Sequence, residues 1–376
     1  MTKRKFLFNC STNIVGGGLK NSAFFIKQAM NSDKIEWNFA VSKEVKNLLE
    51  AWGIQTNDSF HVFESTPARD KSARKKLSDL VKKISPELVF TMAGPAYVKF
   101  SSLHVQGLSN PYVTHADWEG FMLRGSFSKA VSFLLQTIVQ LWCSRWADYF
   151  VFQTDEARNQ YCKRAFINRK RTTVISNAYD LNMKSQLESL EEKQNGKIRI
   201  ICPAPSHSHK GLQFIPAIAY ELKKILNKPF EFVLTIDKDS MWNNIVGNSK
   251  RYNVEENVVT RGSFNYSEVV GIYKDTDLVF VPSLVETFSA TYLEAMAAKK
   301  PLLVADKGFA RSICGDSAVY LNPKEPVSAA KKINEVLNNE ALKRVLLKNG
   351  ITTLQKYGDH KERFSKIENY LLSIKS

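Results

Sequence analysis

Two carboxylates stand eight positions apart in the stretch Pro282–Ala297, PSLVETFSATYLEAMA. Glu286 follows an apolar run, and Glu294 sits inside an alanine-rich helical pattern. An ionised carboxylate only accepts hydrogen bonds, which suits a pair of vicinal hydroxyls. Glu294 is therefore a candidate for the two hydroxyls of a ribose, and Glu286 for hydroxyls of a sugar. Between them, the backbone N–H groups of Ser289, Ala290 and Thr291 open the helix. The first amides of a helix lack internal partners and attract phosphate. A plain surface pair with Ser289 as N-cap fits the same spacing; the flanking sequence favours binding.

The elements that must position these groups alternate between two periods. Short apolar runs at Lys5–Asn9, Glu36–Val41, His61–Glu64, Glu87–Met92, Pro111–His115, Asp148–Gln153 and Thr172–Ser176 predict strands, with amphipathic helices such as Asn21–Met30 and Arg69–Ile84 between them. Gly16-Gly17-Gly18 predicts a loop before the first helix. Residues 181–197 are polar and end in Asn195-Gly196, the signature of a linker. Alternation then restarts, with Ile198–Cys202, Phe230–Ile236, Leu278–Pro282 and Leu302–Ala305 as strands and Ser267–Lys274, Ala290–Lys299, Val327–Asn338 and Lys361–Ile374 among the helices. Interleaved strands and helices imply parallel α/β domains, and two of them fit the length.

Glu286 and Glu294 with their flanks closely resemble the E-x7-E motif of retaining GT-B glycosyltransferases, of the glycosyltransferase family 4 type. Gly262-Ser263-Phe264, Asp275-Thr276-Asp277, Lys300–Asp306 and Gly315–Ala318 fall where that family has similar residues, as do Trp146-Ala147-Asp148, Gln153-Thr154 and Val174–Asn177. The resemblance implies two Rossmann-like domains facing a central cleft: residues 1–180 for the acceptor, a linker 181–197, residues 198–350 for the donor, and a C-terminal helix in 351–376 crossing back. It implies transfer of a sugar from a nucleotide-sugar to a hydroxyl, with retention, no divalent metal and no cofactor. Lys210 resembles the family's lysine on the donor diphosphate, placing a point charge against the leaving group. The family's arginine five residues earlier is replaced by Pro205, so either a cationic contact is missing or His207 or His209 substitutes. Gly16 and Gly17 resemble the glycine loop facing sugar and diphosphate, and His115 a histidine on the transferred sugar. Glu286 then orients the sugar, and catalysis rests on Glu286, His115 and Lys210. A nucleotide-sugar epimerase of the same fold is the first alternative, and a non-enzymatic nucleic-acid-binding protein the second.

Charge bears on the acceptor. The chain carries 53 Lys+Arg against 37 Asp+Glu, and residues 1–180 hold 25 basic and 15 acidic side chains. Such a surface attracts polyanions. No basic–aromatic recognition motif accompanies it, so nucleic acid is not expected as a partner. A lipid-linked glycan is, as in surface polysaccharide assembly of O-antigen or capsule type, with an anionic membrane as a further partner. Basic helix 69–84 is one candidate membrane contact. Ser126–Trp146 is read either as a core helix or as a helix lying in a membrane interface. Phe6-Leu7-Phe8 is too short for a secretory signal and no run of 18 apolar residues exists, which predicts a cytoplasmic chain, peripheral on the inner face of the cell membrane.

Overall fold

The computed structural model describes residues 3–179, 185–187, 189, 196–264 and 268–374. Most of the linker 181–197 and the start of the helix expected at Ser267 lie outside them. Two compact units divide the chain. The first comprises Met1–Asp117, Ser128–Ala178 and Gly358–Ser376; the second comprises Trp118–Phe127 and Tyr179–Tyr357.

The first unit is built on seven parallel strands: β1 (Arg4–Cys10), β2 (Ile35–Ser42), β3 (Phe60–Phe63), β4 (Leu88–Thr91), β5 (Leu103–Gly107), β6 (Tyr149–Phe152) and β7 (Thr172–Val174). Their order is β3-β2-β1-β4-β5-β6-β7. Phe6 and Phe8 of β1 pack on one face with the helix Gly16–Ala29, while Leu7 packs on the other with Leu77 and Val81 of the helix Lys71–Ile84. A strand covered on both faces has no polar side, which is why the centre of β1, Phe6-Leu7-Phe8, is apolar at successive positions. The helix His360–Ser373 completes the first core, its Phe364 ring 5.1 Å from that of Phe25.

Two expectations need correction. Pro111–His115 is not a strand: Pro111–Thr114 is a helical turn, its N-cap Asn110 accepting from the Tyr112 amide at 3.0 Å. Asn before Pro at the first helical position is a start signal that outweighs the β-prone Tyr-Val-Thr. The strand in this region is β5, obscured in the sequence because two of its buried side chains, His104 and Gln106, are polar. Thr91 meets His104 at 2.9 Å, and Asn9 donates to Thr91 at 3.2 Å, so a hydrogen-bonded chain links β1, β4 and β5, while Gln106 donates to the Ser144 carbonyl at 3.3 Å. Nor is Gly16-Gly17-Gly18 a loop, since the helix begins at Gly16.

The second unit repeats the plan with β8 (Ile198–Cys202), β9 (Phe230–Leu234), β10 (Val258–Thr260), β11 (Leu278–Val281), β12 (Leu302–Ala305) and β13 (Val319–Leu321), ordered β10-β9-β8-β11-β12-β13. The order reverses between β8 and β11, which pair Leu278 with Ile200 and Val279 with Ile201. In an open parallel sheet, loops at the carboxyl ends of strands diverge at such a reversal and leave room for a ligand.

Candidate active site

The loops leaving β8 and β11 diverge at that reversal and are stitched together beyond it. The Leu284 amide donates to the His209 carbonyl at 2.8 Å. Gly211 closes the turn Ser208–Lys210 with φ 76°, and a Cβ there would stand 2.2 Å from the Pro282 carbonyl oxygen. Only glycine allows both the left-handed backbone and this approach. The stitching brings Lys210 to Glu286: the Lys210 ammonium donates to the Glu286 carboxylate, with 14% and 12% of the two side chains exposed. An ion pair this shielded surrenders hydration that its attraction only partly returns, so it is weak as a stabilising device. Its position beyond the carboxyl ends of the two strands at the reversal makes it a candidate ligand-binding pair.

Glu294 lies on the helix Ala290–Ala297, whose Tyr292, Leu293, Ala295 and Met296 are buried. That burial orients the helix and leaves Glu294 half-buried, where the Tyr273 hydroxyl donates to its carboxylate at 3.1 Å. Burial first, then the charge of Glu294, pushes the Tyr273 phenol well above its ordinary value, so it stays a donor. Ser289 is the N-cap residue and its side chain makes no capping bond. Ala290 is exposed and Thr291 half-buried at the start of this helix.

His207 and His209 stack at 5.4 Å beside Lys210. Burial, with Lys210 and Arg124 adding to it, holds both below the ordinary histidine range, His209 down to about 3. Both rings therefore favour the neutral form at pH 7. Arg124 is a charge the sequence reading did not place here. It belongs to the segment Trp118–Phe127, which groups with the second unit and whose Glu119 pairs with Lys307 and Lys324. No local signal marks Arg124, because its neighbours here come from more than 80 positions away. Among the described residues no group of three or more His, Cys, Asp or Glu side chains is arranged to hold a metal ion.

His115, Gly16 and Gly17 belong to the first unit. His115 caps the turn Pro111–Thr114, its Nδ1 2.8 Å from the Thr114 hydroxyl, and burial drops its pKa to about 4, so the ring is neutral. Gly16 opens its helix at φ 66°, and a Cβ on Gly16 or Gly17 would meet nothing within 4 Å. Positive φ explains glycine at 16; neither packing nor backbone angle demands it at 17. Asn13 anchors this turn, donating to Ser22 at 2.7 Å and to the Met92 carbonyl at 3.1 Å.

Residues 189–353 match the family described as glycosyl transferases group 1. An uncharacterized glycosyltransferase of Methanocaldococcus jannaschii is 32% identical over 98 residues, 26% of this chain and 25% of that protein. A second from the same organism is 27% identical over 135 residues, 33% of this chain and 38% of that protein. The chain thus matches well under half the length of either relative. Among solved structures, a glycosyltransferase from Rickettsia africae superposes with TM-score 0.72 at 13% identity, covering 98% of both chains. Anabaena HepE, in complex with UDP and glucose, superposes with TM-score 0.72 at 17% identity, covering 99% of this chain and 100% of that one. Two parallel-sheet Rossmann-like domains with these likenesses make the fold GT-B, and the family match in the second of them supports a glycosyltransferase.

Proposed function

We propose that the chain is a retaining, metal-independent glycosyltransferase of the family 4 type that moves a sugar from a nucleotide-sugar to a hydroxyl of a lipid-linked glycan. The observation that carries this reading is the Lys210–Glu286 pair at the reversal of the second sheet, with Glu294 on the helix that follows. Lys210 has three N–H donors, so it can hold Glu286 and a phosphate oxygen together. As the glycosidic bond breaks, charge grows on the departing diphosphate and the lysine contact strengthens. The amides of Ser289, Ala290 and Thr291 take phosphate oxygens at the helix start. Glu294, braced by Tyr273, accepts from the ribose hydroxyls; Glu286, braced by Lys210, orients the transferred sugar. The basic first unit suits an acceptor anchored by a lipid diphosphate, and work at the cytoplasmic face of a membrane. The assembly of surface polysaccharide, O-antigen or capsule, is the pathway this acceptor fits.

Calorimetry with UDP, the nucleotide named in the HepE complex, tests the donor site. UDP should bind, and Glu294→Gln should weaken it by about 1.5–3 kcal/mol, the worth of a hydrogen bond to a charged group. Binding of UDP, GDP and their sugars all absent, or binding unchanged in the variant, sinks the assignment. Product formed from donor alone would point to an epimerase instead.

A further inference from the structure

We propose that the helix Phe127–Ser144 docks the first unit onto the surface of an anionic lipid bilayer. Leu135, Ile138, Val139 and Trp142 recur at helical spacing, and 59%, 51%, 58% and 63% of each is exposed. Ala130, Thr137 and Ser144, on the opposite face, are buried. Of the two readings left open by the sequence, full burial does not hold: the helix covers the core with one face and leaves large apolar side chains on the other. A contiguous exposed apolar stripe of this kind marks a surface that something covers.

Charge identifies what covers it. The stretch Phe127–Arg145 contains no Asp or Glu. Arg145 stands one turn beyond Trp142 with its guanidinium 5.9 Å from the indole centroid. Arg171 donates to the carbonyls of Ala147 at 2.5 Å and Asp148 at 2.6 Å, which holds the exposed Arg169 and Lys170 beside the same end of the helix. Phe166, the left-handed residue closing the helix Asp155–Ala165, is a further aromatic of the first unit with 86% of it exposed. An aromatic and aliphatic centre with a cationic rim fits the boundary between acyl chains and anionic headgroups. No helix of the described residues is long and apolar enough to cross a membrane, and this one is about 27 Å long at 1.5 Å per residue, so it lies along the surface.

The inference stands without the transferase reading. The full chain should float with vesicles of equimolar phosphatidylcholine and phosphatidylglycerol at low salt and stay behind with phosphatidylcholine alone. Replacing Ile138, Val139 and Trp142 together by Ser should cut the partition coefficient about tenfold or more, by removing the buried apolar area. These side chains are exposed, so circular dichroism and UDP affinity should hold, which separates failure of this surface from failure of the donor site. Should that variant lose its fold, Arg145→Glu with Arg169→Glu and Lys170→Glu decides, losing flotation at low salt. Wild type that fails to float, folded variants that float equally well, or a concentration-dependent dimer without vesicle binding would each overturn the proposal.

Discussion

Lys210 and Glu286 are joined across 76 positions by a few backbone contacts, and replacements there separate chemistry from architecture. Under the proposed function, Lys210→Ala removes the charge that follows the leaving diphosphate, so turnover should fall about a hundredfold, in line with loss of one electrostatic contact to the transition state. The Michaelis constant should change less; a rise in it with unchanged turnover would mark uniform binding instead. Gly211→Ala acts through the backbone. Its Cβ would press on Pro282 from a left-handed residue, so the second unit should lose about 1–3 kcal/mol, the cost of one strained backbone site. Urea titration followed by a second-unit tryptophan checks this, Trp242 being one. A variant as stable as the parent would remove the reason given for glycine at that position.

At the scale of elements, the closing helix is the clearest case of an apolar face finding its partner. Phe364, Ile367 and Leu371 of His360–Ser373 are buried with Phe25 and Ile26 of the helix Gly16–Ala29. Truncating Phe364 to Ala should destabilise the first unit by about 3–5 kcal/mol, the usual range for an emptied aromatic site. Denaturation that shows no loss would mean that the helix docks only loosely. The basic helix Lys71–Ile84 is less uniform than its charges imply. Arg74 donates to the carbonyls of Pro67 at 2.6 Å and Ala68 at 3.1 Å, and Lys76 to that of Val62 at 2.7 Å, while Lys71, Lys75, Lys82 and Lys83 remain exposed. Two of its cations therefore serve the fold, and the exposed ones add long-range attraction to an anionic surface.

For the whole molecule, acidity is a defined stress. His104 is fully buried in β5, and burial drops its pKa to about 3 from an ordinary 6.5. Below pH 6.5 the unfolded chain takes up a proton that the folded chain refuses until about pH 3. Stability is then full above pH 6.5 and falls on acidification, at up to about 1.4 kcal/mol per pH unit from this histidine. His104→Gln should flatten the fall in the urea midpoint between pH 6.5 and 5, measured against its own midpoint at pH 7. Parallel curves for parent and variant would remove His104 as the cause.

The paired α/β architecture was legible in the sequence because strands covered on both faces are apolar at successive central positions, as Phe6–Phe8 of β1, Leu88–Phe90 of β4 and Leu278–Val281 of β11 are. Glu286 and Glu294 were legible as candidates because residue type and local spacing mark a loop and a helix start, and Lys210 only through its resemblance to a family lysine. Spacing along the chain carries no information about contacts made across it. Only the tertiary structure joins Lys210 to Glu286, sets Tyr273 under Glu294 and brings Arg124 to the histidine pair. The two faces of the helix Phe127–Ser144 were equally undecidable beforehand, since its apolar residues outnumber what one buried face can hold. Neighbouring elements alone determine which of those residues are covered, and here they leave Leu135, Ile138, Val139 and Trp142 to solvent.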